Sequence, residues 1–144
     1  MKDVGFRTLV GLLVCLVFNT IVYGIDWEYE LPIIEKAAIR NHITENDFYL
    51  LIAIRISENG PEGTEFGVLH SDAVNTNLDT QAGWCVATIM ANHRRFNYDK
   101  VDNHFIHMLG ERYCPPSIHP LNHHWQDNVK HWYHKFKNYS RRNN

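Results

Sequence analysis

The sequence predicts a mainly α-helical fold, and three observations carry the prediction. Apolar residues recur at three- and four-residue intervals through four or five stretches, the spacing that lines one side of a helix. Glycine and proline gather between those stretches, at Asn59-Gly60-Pro61 and Pro115-Pro116. Strict alternation of apolar and polar residues is scarce, and only Glu65 to Leu69 has room for a short extended piece.

The first helix reads from Leu31 to His42, with Ile33, Ile34, Ala37, Ala38 and Ile39 at helical spacing. Pro32 is tolerated there because the first turn has no carbonyl waiting for its missing N–H. Thr44 followed by Asp47 has the form of an N-cap with an acid three residues on. It opens a second helix through Phe48, Leu51, Ile52 and Ile56 to Glu58, which Asn59-Gly60-Pro61 stops. From Pro61 to Asp79 the chain is loop-like, and this is the natural place for a cleft. A long helix then runs from Thr80 through Trp84, Val86, Ile89 and Met90 to Phe96. Another spans Val101 to Tyr113, ended by Pro115-Pro116, and a last one covers Leu121 to Asn138 with Trp125, Val129, Trp132, Tyr133 and Phe136. No internal repeat, low-complexity tract or linker divides the chain after residue 24.

Residues 1–24 join Lys2 and Arg7 to an apolar run from Leu9 to Phe18 and end in Val22-Tyr23-Gly24, the pattern of a secretory signal. With Ile21 to Tyr23 added, the run also makes a marginal membrane anchor. Cys15 follows Val14 where a lipoprotein signal wants a small residue, which argues against lipid attachment. The expectation is a protein exported to a periplasmic or extracellular space, with membrane association through this segment as the variant. Residues 25–144 form one domain with twelve basic and fifteen acidic residues, a net of −3. Nucleic-acid binding, which calls for a basic stripe, has no support in such a balance. Cys85 and Cys114 remain, an even number that leaves a disulfide and two buried thiols equally open.

Chemistry points to Glu58. On a helix that ends near Asn59 it follows Ile54 by four residues and Leu51 by seven, so it leaves along the apolar stripe. A carboxyl held among apolar groups keeps its proton longer than one in water, and such a group serves as a general acid. Arg55, three residues earlier, opposes this if it pairs with Glu58. Glycosidic cleavage uses one acid on the leaving oxygen and a second carboxylate as base or nucleophile, unless the sugar's acetamido group does that work. Glu62, Glu65 and Asp72 are the candidates for the second carboxylate, with Glu65 preferred because Phe66-Gly67 can turn it back toward the cleft.

Four fragments, Ile54 to Gly60, Glu65 to Leu69, Gln81-Ala82-Gly83-Trp84 and Arg112 to Pro116, together resemble the lysozyme-like superfamily. Within it the chain is most similar to the soluble lytic transglycosylase and goose-type lysozyme branch, over about residues 44–134. The resemblance implies a compact lysozyme-like helical domain with a short loop or β excursion after the helix that carries the catalytic glutamate. It places Glu58 as that acid and Asn59 where the branch usually has serine. It also implies that Phe66, Gly67, Gln81 and Tyr113 line a cleft with Asn59. The Met-Gln that commonly follows the glycine-led loop is missing after Leu69. No cofactor is implied, and the substrate implied is peptidoglycan or a related β-1,4-linked amino-sugar polymer.

Ten histidines include His119, His123, His124, His131 and His134 near the end of the chain. No acidic residue completes a His-Glu-x-x-His pattern, so packing around Trp125 and Trp132 accounts for them better than a metal does. One of Trp84, Trp125 and Trp132 is expected at the cleft. Two alternatives stand beside the enzyme: a non-catalytic lysozyme-fold glycan-binding or scaffold protein, and, behind it, a histidine-rich metal-binding protein.

Overall fold

The structure, a computed structural model, describes residues 24–143, so the leader expected over residues 1–24 lies, except for Gly24, outside the described residues. Five α-helices carry the described chain: α1 (Trp27–Arg40), α2 (Glu45–Glu58), α3 (Leu78–Phe96), α4 (Asn103–Tyr113) and α5 (His123–Asn143). A single 3-10 turn, Pro120–Asn122, leads into α5. No strand forms among the described residues.

Capping explains where the helices start. Thr44 Oγ1 accepts from the Asp47 amide at 3.2 Å while Asp47 Oδ2 accepts from the Thr44 amide at 3.2 Å, the reciprocal box that the sequence predicts. Asp26, Asn77 and Asp102 cap α1, α3 and α4 in the same one-sided way, each accepting an amide three residues on. Asp26 starts α1 four residues before the expected Leu31, and with Trp27 buried the extra turn belongs to the core.

Helix α2 is the axis of the molecule. Every residue from Asp47 to Ile56 is buried, so it has no wet face over that length. It packs chiefly on α5, while α1 packs on α3 and α4 packs on α5. The apolar stripe predicted for α2 is therefore only one side of a fully enclosed rod. Near its start, His93 of α3 places Nε2 2.8 Å from Asp47 Oδ1 and stacks on Phe105 at 4.0 Å, tying α2 to α3 and α4.

Enclosure of α2 also decides the partner of Arg55. Its guanidinium is buried and binds Glu30 of α1 through Nε at 2.7 Å and Nη2 at 2.8 Å, a two-pronged pair. Arg55 is thus turned away from Glu58, and the pairing that would have held Glu58 ionised does not occur.

The segment 59–77 is the long excursion between α2 and α3. The stretch expected to be extended is instead turned, with the Gly67 amide donating to Thr64 O at 2.8 Å and Gly67 at φ +67°. Side-chain hydrogen bonds replace a strand partner. Gln81, fully buried in α3, donates from Nε2 to the carbonyls of Gly63 (3.0 Å), Val68 (2.9 Å) and Ala73 (2.9 Å). Its Oε1 faces the amides of Phe66 and Val68, each at 3.4 Å. One glutamine thereby meets five main-chain groups of the loop, as buried backbone requires.

Candidate functional site

Glu58 is the last residue of α2, and the helix is ended by Asn59 in the left-handed conformation (φ 44°, ψ 36°), its amide donating to Arg55 O at 3.0 Å. Asparagine tolerates that conformation better than most residues, so the turn comes where the carboxyl must leave the helix. Tight packing follows at once: a Cβ on Gly60 would stand 1.9 Å from Thr64 O, so the loop folds back on itself as only glycine allows.

Two groups bracket the carboxyl. Trp125 Nε1 donates to Glu58 Oε1 at 2.6 Å. On the other oxygen lies Gly67, where a Cβ would come within 2.3 Å of Oε2. Burial raises Glu58 from an ordinary 4.5 to about 6, against the pull of the Trp125 N–H, which favours the charged form. The carboxyl that the sequence marks as a general acid is thus desolvated, half-buried and held by one neutral donor.

Tyr113, at the end of α4, backs this arrangement. Its ring stacks on Trp125 at 5.3 Å, and its hydroxyl donates to Phe66 O at 2.5 Å, fixing the peptide next to Gly67. Burial pushes the phenol well above its usual range, with the Cys85 thiol adding to it. Burial also pushes Cys85 up to about 12, and Cys114 is raised for the same reason. Cys85 and Cys114 are unbridged in the structure, the thiol alternative of the two that their spacing leaves open.

The site residues expected from sequence divide into three groups. Glu58, Gly67 and Tyr113 come together as one assembly. Phe66 and Gln81 serve it from beneath: both are fully buried, so they hold the loop rather than face a polymer, and their expected role as substrate contacts is corrected to support. Asn59 and Glu65 face elsewhere. Glu65 is buried beside Arg55 and lines a separate cavity with Glu30 and Asn59, a cavity that Glu58 does not line. The expected pairing of Glu58 with Glu65 as two carboxylates across a glycosidic bond is not formed, because Glu65 is buried in the wall of that other cavity.

Sequence reasoning left Trp125 as one of three tryptophans. It stands 67 residues from Glu58, and no local spacing marks a donor at that separation. Of the other two, Trp84 stacks with His70 at 4.4 Å and Trp132 carries Lys135 over its ring at 4.6 Å. Among the described residues no three His, Cys, Asp or Glu side chains gather as a metal site. No described helix is long and apolar enough to cross a membrane.

A direct prediction follows for Trp125→Phe, which keeps a ring against Tyr113 but removes the donor. With burial acting alone, Glu58 ionises at a higher pH than in the unchanged protein. Titration of the Glu58 carboxyl by NMR is expected to move upward from about pH 6, and a downward or null movement would contradict this account of the site.

No family model matches the chain, and neither a curated protein nor a solved structure matches it.

Proposed function

We propose that this protein is a glycosidic-bond-cleaving enzyme of lysozyme or lytic-transglycosylase type, with Glu58 as the general acid and peptidoglycan, or a related β-1,4-linked amino-sugar polymer, as substrate. The observation that carries the reading is the state of Glu58: a carboxyl at the end of a buried helix, raised to about 6, with one oxygen on Trp125 Nε1 and the other against Gly67. A proton retained near neutral pH is what departure of a sugar oxygen requires. The resemblance of residues 54–60, 65–69 and 112–116 to the lysozyme-like superfamily supports the same assignment.

In the proposed reaction Glu58 gives its proton to the glycosidic oxygen as the bond from that oxygen to C1 breaks, leaving positive charge on the sugar. With Glu65 turned to the other cavity, the charge is met by the sugar's own acetamido group, the substrate-assisted route. Attack by water completes hydrolysis and attack by the sugar's 6-hydroxyl completes transglycosylation, the attacking O–H in either case returning a proton to the Glu58 carboxylate. Such a substrate lies outside the cytoplasm, which agrees with the signal-like amino terminus.

Clearing of cell-wall sacculi in a zymogram tests the proposal. Gly67→Ala is the diagnostic variant, since its methyl group would clash with Glu58 Oε2 at 2.3 Å and its φ of +67° is strained for a side chain. Displacing the acid by roughly 1 Å is expected to lower the clearing rate by on the order of 100-fold. The global fold should persist, read as an unchanged helical circular dichroism spectrum. A Gly67→Ala protein that clears sacculi like the unchanged one would remove the Glu58 mechanism.

A further inference from the structure

The cavity lined by Glu65 has no part in the chemistry at Glu58. It measures about 550 Å³, the size of a small-ligand site, and lies where the start of α1 meets the end of α2 and the following loop. Three carboxylates, Glu30, Glu62 and Glu65, line it against a single guanidinium, Arg55. That guanidinium is committed to Glu30 through its two short hydrogen bonds and meets Glu65 at the main-chain carbonyl, 3.3 Å away. Glu62 and Glu65 therefore leave the cavity negative.

Glu65 is only 6% exposed, and its Oε2 is buried without a hydrogen-bond partner among the described residues. Enclosing a carboxylate oxygen with no donor is costly, so a wall built this way calls for a donor that carries positive charge. The donors' chemistry is narrowed further by the rest of the lining. No metal-ligating cluster forms among the described residues, while Asn59 and Asn77 add neutral side chains to the lining. A primary ammonium, with three N–H donors and no acceptor, suits such a set.

We infer that this cavity binds the primary ammonium of a lysine-like diamino-acid side chain, with Glu65 as its buried counter-ion and Glu62 at the rim. Asn59 and Arg55 belong to the last turn of α2 and its cap, so the cavity and the Glu58 site share one wall. The inference rests on the glycan-cleavage reading for the source of the amine alone: peptides attached to a cell-wall polymer supply such a residue beside the sugars to be cleaved.

Binding is tested on the full chain carrying Glu58→Gln, so that no turnover intervenes. Nα-acetyl-lysine amide is titrated while the amide resonances of Gly60 and Asn77 are followed by NMR, with Nα-acetyl-norleucine amide as the uncharged match. Saturable shifts with the lysine probe alone are expected. Adding Glu65→Gln should weaken binding at least ~10-fold, the loss of one charge-assisted hydrogen bond. Adding Glu62→Gln, an exposed change that spares the fold, should weaken it about threefold, as for a screened charge. Equal shifts with the norleucine probe, no shift with the lysine probe, or unchanged affinity in both variants would overturn the site. Binding by a protein that never clears sacculi keeps the ammonium site and discards the glycan reading; clearing without binding does the reverse.

Discussion

Glu58→Gln is expected to lower cell-wall-degrading activity by at least ~100-fold, the reach of a single general acid, while making the folded protein more stable above pH 6. Both halves come from one physical fact. The carboxyl is raised from 4.5 to about 6 because folding takes it out of water. A group whose proton is held more tightly in the folded state favours folding at low pH and loses that advantage as pH rises. Below pH 4.5 both states carry the proton and burial of the carboxyl costs little. Above pH 6 the native state must hold a desolvated charge, at a cost of up to about 2 kcal/mol. Glutamine has no charge to hold and still accepts from Trp125 Nε1 through its amide oxygen. Melting curves at pH 8 should therefore rise in the variant, with no comparable gain at pH 4. Lost activity together with this pH-dependent gain marks an acid kept in an unfavourable setting for its chemistry. Lost activity with lower stability at every pH would instead mean that Glu58 is structural, and full activity would end the proposal.

How much of this was legible beforehand follows the range of the interactions involved. The helices were visible because their signals are local: a cap, three or four apolar repeats, and a stop. Thr44 and Asp47 form the box that their spacing implies, and the loop after Asn59 falls where glycine and proline put it. Glu58 was legible for the same reason, since its position relative to Leu51 and Ile54 is fixed by helix geometry. The rest of the site depends on contacts between distant segments. Glu30 captures Arg55 from 25 residues away, and Trp125 reaches Glu58 from 67. Neither leaves a periodic trace. Reading Glu65 as a partner of Glu58 failed because Glu65 is buried in the wall of a cavity that Glu58 does not line, a placement set by its long-range contact with Arg55 rather than by local spacing.

Gln81→Leu is expected to destabilise the protein by roughly 2–4 kcal/mol, because the Val68 carbonyl and the amides of Phe66 and Val68 have no partner but Gln81 among the described residues. Its sequence setting, Asp79-Thr80-Gln81-Ala82-Gly83, gives it the first turn of α3, and 0% exposure places its amide inside the loop rather than in a cleft. Leucine keeps the volume and removes both the donor and the acceptor. The carbonyl of Val68 would then lose its donor and the amides of Phe66 and Val68 their acceptor, while Gly63 O keeps the Asn75 amide and Ala73 O keeps Thr76. Each unmade bond is worth about 1 kcal/mol or more when the group stays buried, so the loop is expected to open before the helices do. Hydrogen exchange separates the cases: the amides of residues 63–68 should lose protection in Gln81→Leu while those of α2 and α5 keep theirs. Opening of the loop also releases Gly67 from Glu58 Oε2, so activity should fall with protection although Gln81 never meets the substrate. Retained protection and activity would show that the loop is held by its turns alone, and retained protection with lost activity that Gln81 faces the polymer after all.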